Sequence, residues 1–89
     1  ELPKICEVVF SVSAPQAQEV YLAGDFNDWK LDANSRMQQH NGIWSKSLKL
    51  RKGRYRYRFV VDGRWIEDIN NPSKEVNPYG SVDSLLEVI

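Results

Sequence analysis

The stretch RKGRYRYRFVVDGRW, residues 51–65, indicates the fold class more clearly than any other part of the chain. Aromatic side chains at Tyr55, Tyr57 and Phe59 alternate with arginines in its centre. Because neighbouring side chains of a β-strand point to opposite faces, the pattern predicts a strand with an aromatic core face and a solvated arginine face. Glycine turns flank this strand, and the Asp62-Gly63 pair is typical of a two-residue hairpin. The stretch therefore predicts consecutive antiparallel strands.

Similar signals continue on both sides of this stretch. Apolar residues recur at every second position from Cys6 to Val12, and Asn41-Gly42 predicts another hairpin turn. No segment shows helical periodicity over a useful length. The predicted strands cover residues 6–12, 20–24, 36–40, 43–50, 54–61, 64–67 and 85–89. Short strands joined by regular turns predict an all-β fold, an antiparallel β-sandwich, formed by a single domain over residues 1–89.

The composition fits one neutral globular domain. The chain has 89 residues and a formal net charge of zero, because 12 basic residues balance 12 acidic ones. Nucleic acids and anionic membranes attract an excess of positive charge, so we expect neither as a partner. No apolar stretch is long enough to span a membrane, and ELPKICEVVF does not resemble a signal peptide, so we expect a cytoplasmic protein. The chain does not begin with Met, which is consistent with a domain excised from a longer protein.

Metal-dependent and covalent catalysis are not expected. His40 is the one histidine and Cys6 the one cysteine, and neither has a partner at metal-ligand spacing. We therefore predict no metal and no cofactor, and a core position for Cys6. Asp25 and Asp28 form a carboxylate pair of the kind used in glycoside hydrolysis. A sandwich of this size offers little depth to desolvate a catalytic acid, so we predict no enzyme activity and turn or capping roles for both aspartates.

The basic run of residues 51–61 is also a candidate RNA-binding strand, since it mixes four arginines and a lysine with three aromatic residues. A sheet that reads RNA needs its aromatic side chains beside the basic ones on the exposed face. Alternation places the two kinds on opposite faces here, which favours a solvated arginine face instead. One of these arginines remains a candidate for binding another ligand.

The three tryptophans divide into one core residue and two site candidates. Trp44 is in phase with the apolar residues of its predicted strand, whereas Trp29 lies in a polar stretch, residues 25–35, and Trp65 follows a hairpin turn. Exposed indole rings stack on the C–H faces of a pyranose, and polar neighbours bind its hydroxyl groups. The alternative, that both tryptophans are half-buried edge residues, stays open. Residues 68–81, rich in Asn and Pro, predict a long polar loop of the kind that often carries function.

Three motifs resemble carbohydrate-binding module family 48. They are VYLAGDFNDWK at residues 20–30, YRFVVDGRW at residues 57–65 and NPYGSVDSLLEV at residues 77–88. The family includes the glycogen-binding domain of the AMP-activated protein kinase β subunit and the N-terminal domains of branching and debranching enzymes. The resemblance implies an immunoglobulin-like β-sandwich of the early-set type. It also implies binding of α-1,4-linked glucans such as glycogen, starch and maltooligosaccharides.

The resemblance further implies a site made of two stacking tryptophans, one basic residue and three loop residues. The expected set is Trp29, Arg58, Trp65, Tyr79, Ser81 and Asp83. Three positions depart from the kinase-type domains: Arg58 stands for a Lys, Tyr79 for a Leu, and Asp83 for an amide residue. Arg and Lys both donate hydrogen bonds, but an ionised Asp only accepts them.

Many members attached to enzymes lack these contacts and serve as structural or protein-interaction spacers. A spacer without sugar affinity is therefore the alternative function. Because the two tryptophans, the basic residue and the hydroxyl are all present, the resemblance favours a glucan-binding module. The resemblance also implies a catalytic or kinase domain as a partner in the same chain or complex.

Overall fold

The computed structural model describes residues 4–89, in which the regular secondary structure is eight β-strands and one short 3₁₀ turn. The strands are β1 Ile5–Ser13, β2 Val20–Gly24, β3 Gln38–His40, β4 Ile43–Arg51, β5 Gly53–Val61, β6 Arg64–Ile66, β7 Lys74–Val76 and β8 Val82–Val88. A short 3₁₀ turn, Asp25–Asn27, follows β2. Within residues 4–89, no helix is long and apolar enough to span a membrane.

The strands form two antiparallel sheets with the core between them. β1, β4 and β3 make the smaller sheet, whereas β2, β5, β8 and β7 make the larger one, to which β6 adds by pairing with β5. Phe10 of β1 meets Tyr57 of β5 edge-on, with ring centroids 5.0 Å apart. The buried apolar side chains of both sheets are Phe10, Val12, Val20, Leu22, Met37, Trp44, Leu50, Tyr57, Phe59 and Val88. The predicted all-β antiparallel sandwich is therefore confirmed.

β5 lies in the middle of the larger sheet, and its side chains alternate as predicted. Tyr57 and Phe59 are buried, and Tyr55 packs against the same core. β5 pairs with β2 on one side and with both β6 and β8 on the other. The arginines of β5 consequently lie on the face of the sheet that is turned away from the core, called the outer face below. Cys6 is half-buried and packs against the core from β1.

Residues 36–40 do not form the single strand that was predicted. The N–H group of Leu22 donates to the carbonyl of Ser35 at 2.9 Å, and that of Met37 donates to Val20 at 2.8 Å, so this part runs along β2. The next residues form β3 and pair with β4 in the other sheet. The chain thus changes sheets, which allows Met37 to enter the core between them. Period-two alternation does not reveal which sheet supplies the hydrogen-bond partners, and for this reason the prediction was wrong.

The last strand starts at Val82, before the predicted start at residue 85. Asp83 and Ser84 conceal this beginning, because they are polar in sequence but only 5% and 0% exposed in the structure. The Ser84 hydroxyl oxygen accepts a hydrogen bond from a backbone N–H group at 2.7 Å, and Asp83 is ion-paired. The predicted loop over residues 68–81 likewise contains a short strand, β7.

The hydroxyl group of Tyr57 connects the core to the chain that follows β6. It donates a hydrogen bond to Asp68 Oδ2 at 2.7 Å and accepts one from Asn71 Nδ2 at 3.0 Å. Burial raises the pKa of the Tyr57 phenol above its ordinary value of 10.0; the neighbouring Asp68 adds to the rise, and the hydrogen bond from Asn71 opposes it. The start of the long loop is therefore fixed to the sheet by a buried, protonated phenol.

Candidate functional site

The outer face of the larger sheet carries an open groove, called the main groove below. Its volume of about 410 Å³ lies within the range of about 300–1,000 Å³ that is typical of small-molecule sites. The residues that line it are Asp25, Trp29, Arg56, Arg58, Trp65, Asn77, Pro78, Tyr79, Ser81 and Asp83. All six residues expected from the sequence to contact carbohydrate lie in this lining, although they come from three separate parts of the chain.

Trp29 is positioned by the tight turn after β2. Asn27 Oδ1 accepts hydrogen bonds from the N–H groups of Gly24 at 3.0 Å and Trp29 at 3.1 Å, and its Nδ2 donates to the Leu22 carbonyl at 2.8 Å. Asp28 and Trp29 both adopt left-handed backbone angles, with φ of 55° and 60°. Residues with a side chain rarely adopt such angles unless their surroundings enforce them. The N–H group of Trp29 also donates to the Gly24 carbonyl at 3.0 Å, so Asn27 and the backbone of β2 together hold the turn that carries Trp29.

Asp25 fixes the orientation of the Trp29 indole. Its Oδ1 accepts a hydrogen bond from the indole Nε1 at 3.1 Å, and its Oδ2 accepts one from the backbone N–H of Arg56 at 2.8 Å. One carboxylate thus connects the aromatic ring to β5. A turn role was predicted for Asp25, but its connection to β5 could not be predicted from the sequence, because Arg56 lies 31 positions away.

Trp65 lies on β6, opposite Val60 of β5, and its surface is 41% exposed. Its indole is next to that of Trp29, with ring centroids 6.4 Å apart and planes inclined by 34°. Two tryptophans from distant parts of the sequence therefore form one tilted aromatic surface. This geometry differs from two isolated half-buried edge residues, because each ring extends the exposed face of the other.

An ion pair between Arg58 and Asp83 lies in the lining of the groove. Arg58 Nε donates to Asp83 Oδ1 at 2.8 Å, and the two side chains are only 15% and 7% exposed. The predicted solvated arginine face is therefore wrong for Arg58, although Arg54 is 85% exposed. The register explains the difference: Tyr57 is opposite Ser84, so the next residues, Arg58 and Asp83, are neighbours on the outer face. Within residues 4–89 only the Nε atom of Arg58 has a hydrogen-bond partner, which leaves its Nη atoms to donate to a ligand.

The loop over residues 77–81 forms another wall of the groove, and Asn77 shapes it. Asn77 Oδ1 accepts hydrogen bonds from the N–H groups of Tyr79 at 2.9 Å and Ser81 at 3.1 Å. Its Nδ2 lies 3.4 Å from each carboxylate oxygen of Asp83. Tyr79 projects from this loop and is 94% exposed. The Asn-Pro pair in the sequence indicates a turn, but it did not identify Asn77 as a residue that connects Asp83 to the loop.

The charges in the main groove are balanced. Two arginines face two aspartates in the lining, and each arginine is paired, Arg58 with Asp83 and Arg56 with Glu75 of β7. The part of the chain that the structure describes has no cluster of His, Cys, Asp and Glu that could hold a metal ion. A neutral groove with indole rings, hydrogen-bond donors and hydrogen-bond acceptors is suited to a neutral ligand that has both apolar faces and hydroxyl groups.

Comparison with known sequences agrees with this chemistry. The family described as the glycogen recognition site of AMP-activated protein kinase matches residues 6–89. The chain is 36% identical over 73 residues to the chloroplastic protein PTST homolog 2 of Arabidopsis thaliana, a match that covers 82% of this chain. It is 41% identical over 73 residues to the 1,4-alpha-glucan branching enzyme GlgB of Lactobacillus acidophilus, which covers 78% of this chain.

Among solved structures, the fold is similar to part of a maltogenic amylase from S. marinus, with a TM-score of 0.72 and 25% identity over 93% of this chain. The matched region is a small part of each of these larger proteins. The chain spans 13% of the Arabidopsis protein, 11% of the branching enzyme and 13% of the amylase chain.

Proposed function

This chain belongs to the family described as the glycogen recognition site of AMP-activated protein kinase, a non-catalytic carbohydrate-binding module, and on this basis we propose that its main groove binds α-1,4-linked glucans. The ligands are glycogen, starch and maltooligosaccharides. The observation that carries the proposal is the pair of indole rings of Trp29 and Trp65, placed side by side and partly exposed in a neutral groove.

The tilt of the two rings favours an α-linked chain. An α-1,4 linkage curves a glucan, so successive sugar rings are inclined to one another, whereas a β-1,4 linkage gives a flat ribbon. The planes of Trp29 and Trp65 are inclined by 34°, which suits a curved chain that places one sugar ring on each indole. Their faces exclude water from the apolar C–H groups of the sugar and leave the hydroxyl groups at the edges of the ring.

The polar residues of the main groove form hydrogen bonds with the hydroxyl groups of the sugar. The Nη atoms of Arg58 donate to sugar oxygens, while its Nε stays on Asp83. Ser81 offers a hydroxyl group from the loop, and the exposed ring of Tyr79 adds apolar contact beside the indoles. Asp83 is too buried to be a main sugar contact, and it acts by holding Arg58 in place.

The expected affinity is weak. Stacking of a base on an aromatic side chain is worth about 1–3 kcal/mol, and a sugar ring on an indole has no stronger attraction. Two such contacts with a few solvent-exposed hydrogen bonds correspond to a Kd of about micromolar to millimolar. Weak binding of this kind keeps a module on a polymer while allowing it to move to a neighbouring site. In proteins that carry a catalytic or kinase domain, it would hold that domain at the glucan.

Calorimetric titration with maltoheptaose tests the proposal. Trp65→Ala should weaken binding by about 5- to 150-fold, the equivalent of one stacking contact. Ile43→Ala is the matched control, because Ile43 is 43% exposed on the smaller sheet while Trp65 is 41% exposed. Cellohexaose is the control ligand for linkage.

The outcomes separate the function from the assignment of the site. Unchanged affinity in Trp65→Ala would show that the indole pair is not the site. Equal binding of cellohexaose would contradict the preference for α-linked chains. A wild-type domain that binds no maltoheptaose would exclude glucan binding and leave the spacer function.

A further inference from the structure

A second depression, called the side groove below, adjoins the main groove on the outer face of the larger sheet. It has a volume of about 330 Å³ and shares Asp25 and Arg56 with the main groove. The residues of the side groove that matter here are Arg54, Arg56, Glu75, Leu85 and Glu87. Arg56 therefore lies at the boundary, and the two grooves form a continuous surface.

The sheet register aligns the side groove with the main groove. On β5 the side chains of Arg58, Arg56 and Arg54 follow one another on the outer face, and Leu85 and Glu87 of β8 are directly opposite Arg56 and Arg54. At about 3.3 Å per residue, Arg54 lies about 13 Å along the strand from Arg58. A linear polymer seated on the indole pair can thus continue along β5 without leaving the sheet.

The chemistry of the side groove resembles that of the main groove. Arg54 is ion-paired with Glu87, and Arg56 with Glu75, and all four side chains are partly exposed. Each pair leaves other guanidinium N–H groups and carboxylate lone pairs available to hydroxyl groups. Leu85 is half-buried between the pairs and offers an apolar surface. Because the positive charges are matched by carboxylates, the side groove suits a neutral polyhydroxylated chain and not a phosphate.

A third depression on the other side of Trp65 is less suited to this role. It shares Arg58, Trp65 and Ser81 with the main groove, and the charged residue that it adds is Glu67. Glu67 Oε2 is buried and lies 2.8 Å from Lys74 Nζ. The one charged group that this side adds is therefore already in contact with a lysine, whereas the side groove adds two charged groups from β5 and β8 in line with Arg58.

We propose that the side groove extends the glucan site, so that further sugar units of a longer chain bind along β5 between Arg56 and Arg54. The inference rests on the proposed function and names its preferred ligand, a glucan long enough to pass from the indole pair into the side groove. Short oligosaccharides occupy the main groove alone. Longer chains gain additional hydrogen bonds from the two ion pairs.

The test compares maltotriose and maltoheptaose by calorimetric titration of the wild type and of the double variant Arg54→Ala/Glu87→Ala. Replacing both partners leaves no unpaired charge, and a pair this exposed contributes little to folding. The matched control is Glu7→Ala/Lys49→Ala, since these two exposed residues are opposite each other on β1 and β4 of the smaller sheet. A thermal melt of each variant verifies the fold.

We expect the side-groove variant to bind maltoheptaose about two- to tenfold more weakly, as the loss of one net hydrogen bond implies, and to bind maltotriose like the wild type. A longer oligosaccharide can also bind the main groove in more positions, so the wild type alone would bind it more tightly than a short one. The test of the side groove is therefore the difference between the variant and the wild type. Unchanged maltoheptaose affinity would overturn the inference, and so would an equal loss for both sugars. If the wild type binds neither sugar, the proposed function itself fails, and the inference fails with it.

Discussion

The buried ion pair between Arg58 and Asp83 leads to a prediction about stability that does not depend on any ligand. Replacing Arg58 by Met leaves the Asp83 carboxylate buried, and its one remaining hydrogen-bond partner within residues 4–89 is the amide of Asn77, at 3.4 Å. Breaking a buried pair by removing one partner costs about 3–5 kcal/mol. Replacing Asp83 by Asn should cost less, because the long side chain of Arg58 can turn its charge toward the open groove.

The double variant Arg58→Met/Asp83→Asn has neither charge, so its loss should be smaller than the sum of the two single losses. We expect a coupling energy of about 2 kcal/mol, within the range of about 0.5–3 kcal/mol that contacting residues show. Urea unfolding followed by circular dichroism measures it. With a urea dependence of about 1–3 kcal/mol per molar, a loss of about 3–5 kcal/mol in Arg58→Met should lower the midpoint by about 1–5 M.

The exposed pair of Arg54 and Glu87 provides the reference for this cycle. Its side chains are 85% and 58% exposed, so the cycle Arg54→Met/Glu87→Gln should give a coupling energy below about 1 kcal/mol. Additive losses at Arg58 and Asp83, within about 0.5 kcal/mol, would refute the reasoning, because they would mean that the two groups stabilise the fold independently. A coupling as small as that of the exposed pair would do the same.

Three further predictions concern the turn after β2 and the phenol of Tyr57. Asn27→Ala removes three hydrogen bonds, so it should lower the free energy of unfolding by about 2–4 kcal/mol and weaken maltoheptaose binding. A free energy of unfolding equal to that of the wild type would contradict the role of Asn27. Gly24→Ala should destabilise the domain by about 1–3 kcal/mol in the same urea assay, because a Cβ atom there would lie 2.6 Å from the Arg56 carbonyl oxygen. The pKa of the Tyr57 phenol is raised, so the unfolded chain loses this proton first, and stability should fall as the pH rises above 10.0. The urea midpoint should fall less steeply with pH in Tyr57→Phe than in the wild type. The same dependence on pH in both proteins would contradict a contribution of the Tyr57 phenol.

Much of the fold could be predicted because local patterns agree with it. The alternation in β5 and the glycine turns beside it are consequences of strand geometry, which a sequence displays directly. The beginning of β8 could not be predicted, since Asp83 and Ser84 are polar residues that the sheet buries and satisfies with partners from other strands. Buried polar residues of a strand can be predicted as such only when their hydrogen-bond or ion-pair partners are known.

The site could be predicted as a set of residues but not as a geometry. The motifs identify Trp29 and Trp65, yet the inclination of their rings depends on Asn27 and Asp25, whose partners lie on two different strands. Asp83 was predicted from the sequence as a sugar contact; the structure places it in the groove lining and adds an ion pair with Arg58 that the sequence did not predict. The register between paired strands decides whether a polar side chain faces a ligand or another side chain. The sequence alone does not show that register.

The way in which the chain changes sheets after Ser35 also bears on aggregation. An open strand edge exposes unpaired N–H and C=O groups that can template pairing with another molecule. At the edge of β2, the N–H of Leu22 and the C=O of Val20 are already taken by Ser35 and Met37, and this edge leads directly into the turn that carries Trp29. Copies crowded along one polysaccharide would bring such edges close to one another. The crossing of the chain therefore does more than fill the core with Met37: it occupies backbone groups of β2 that would otherwise be open to pairing with a second molecule.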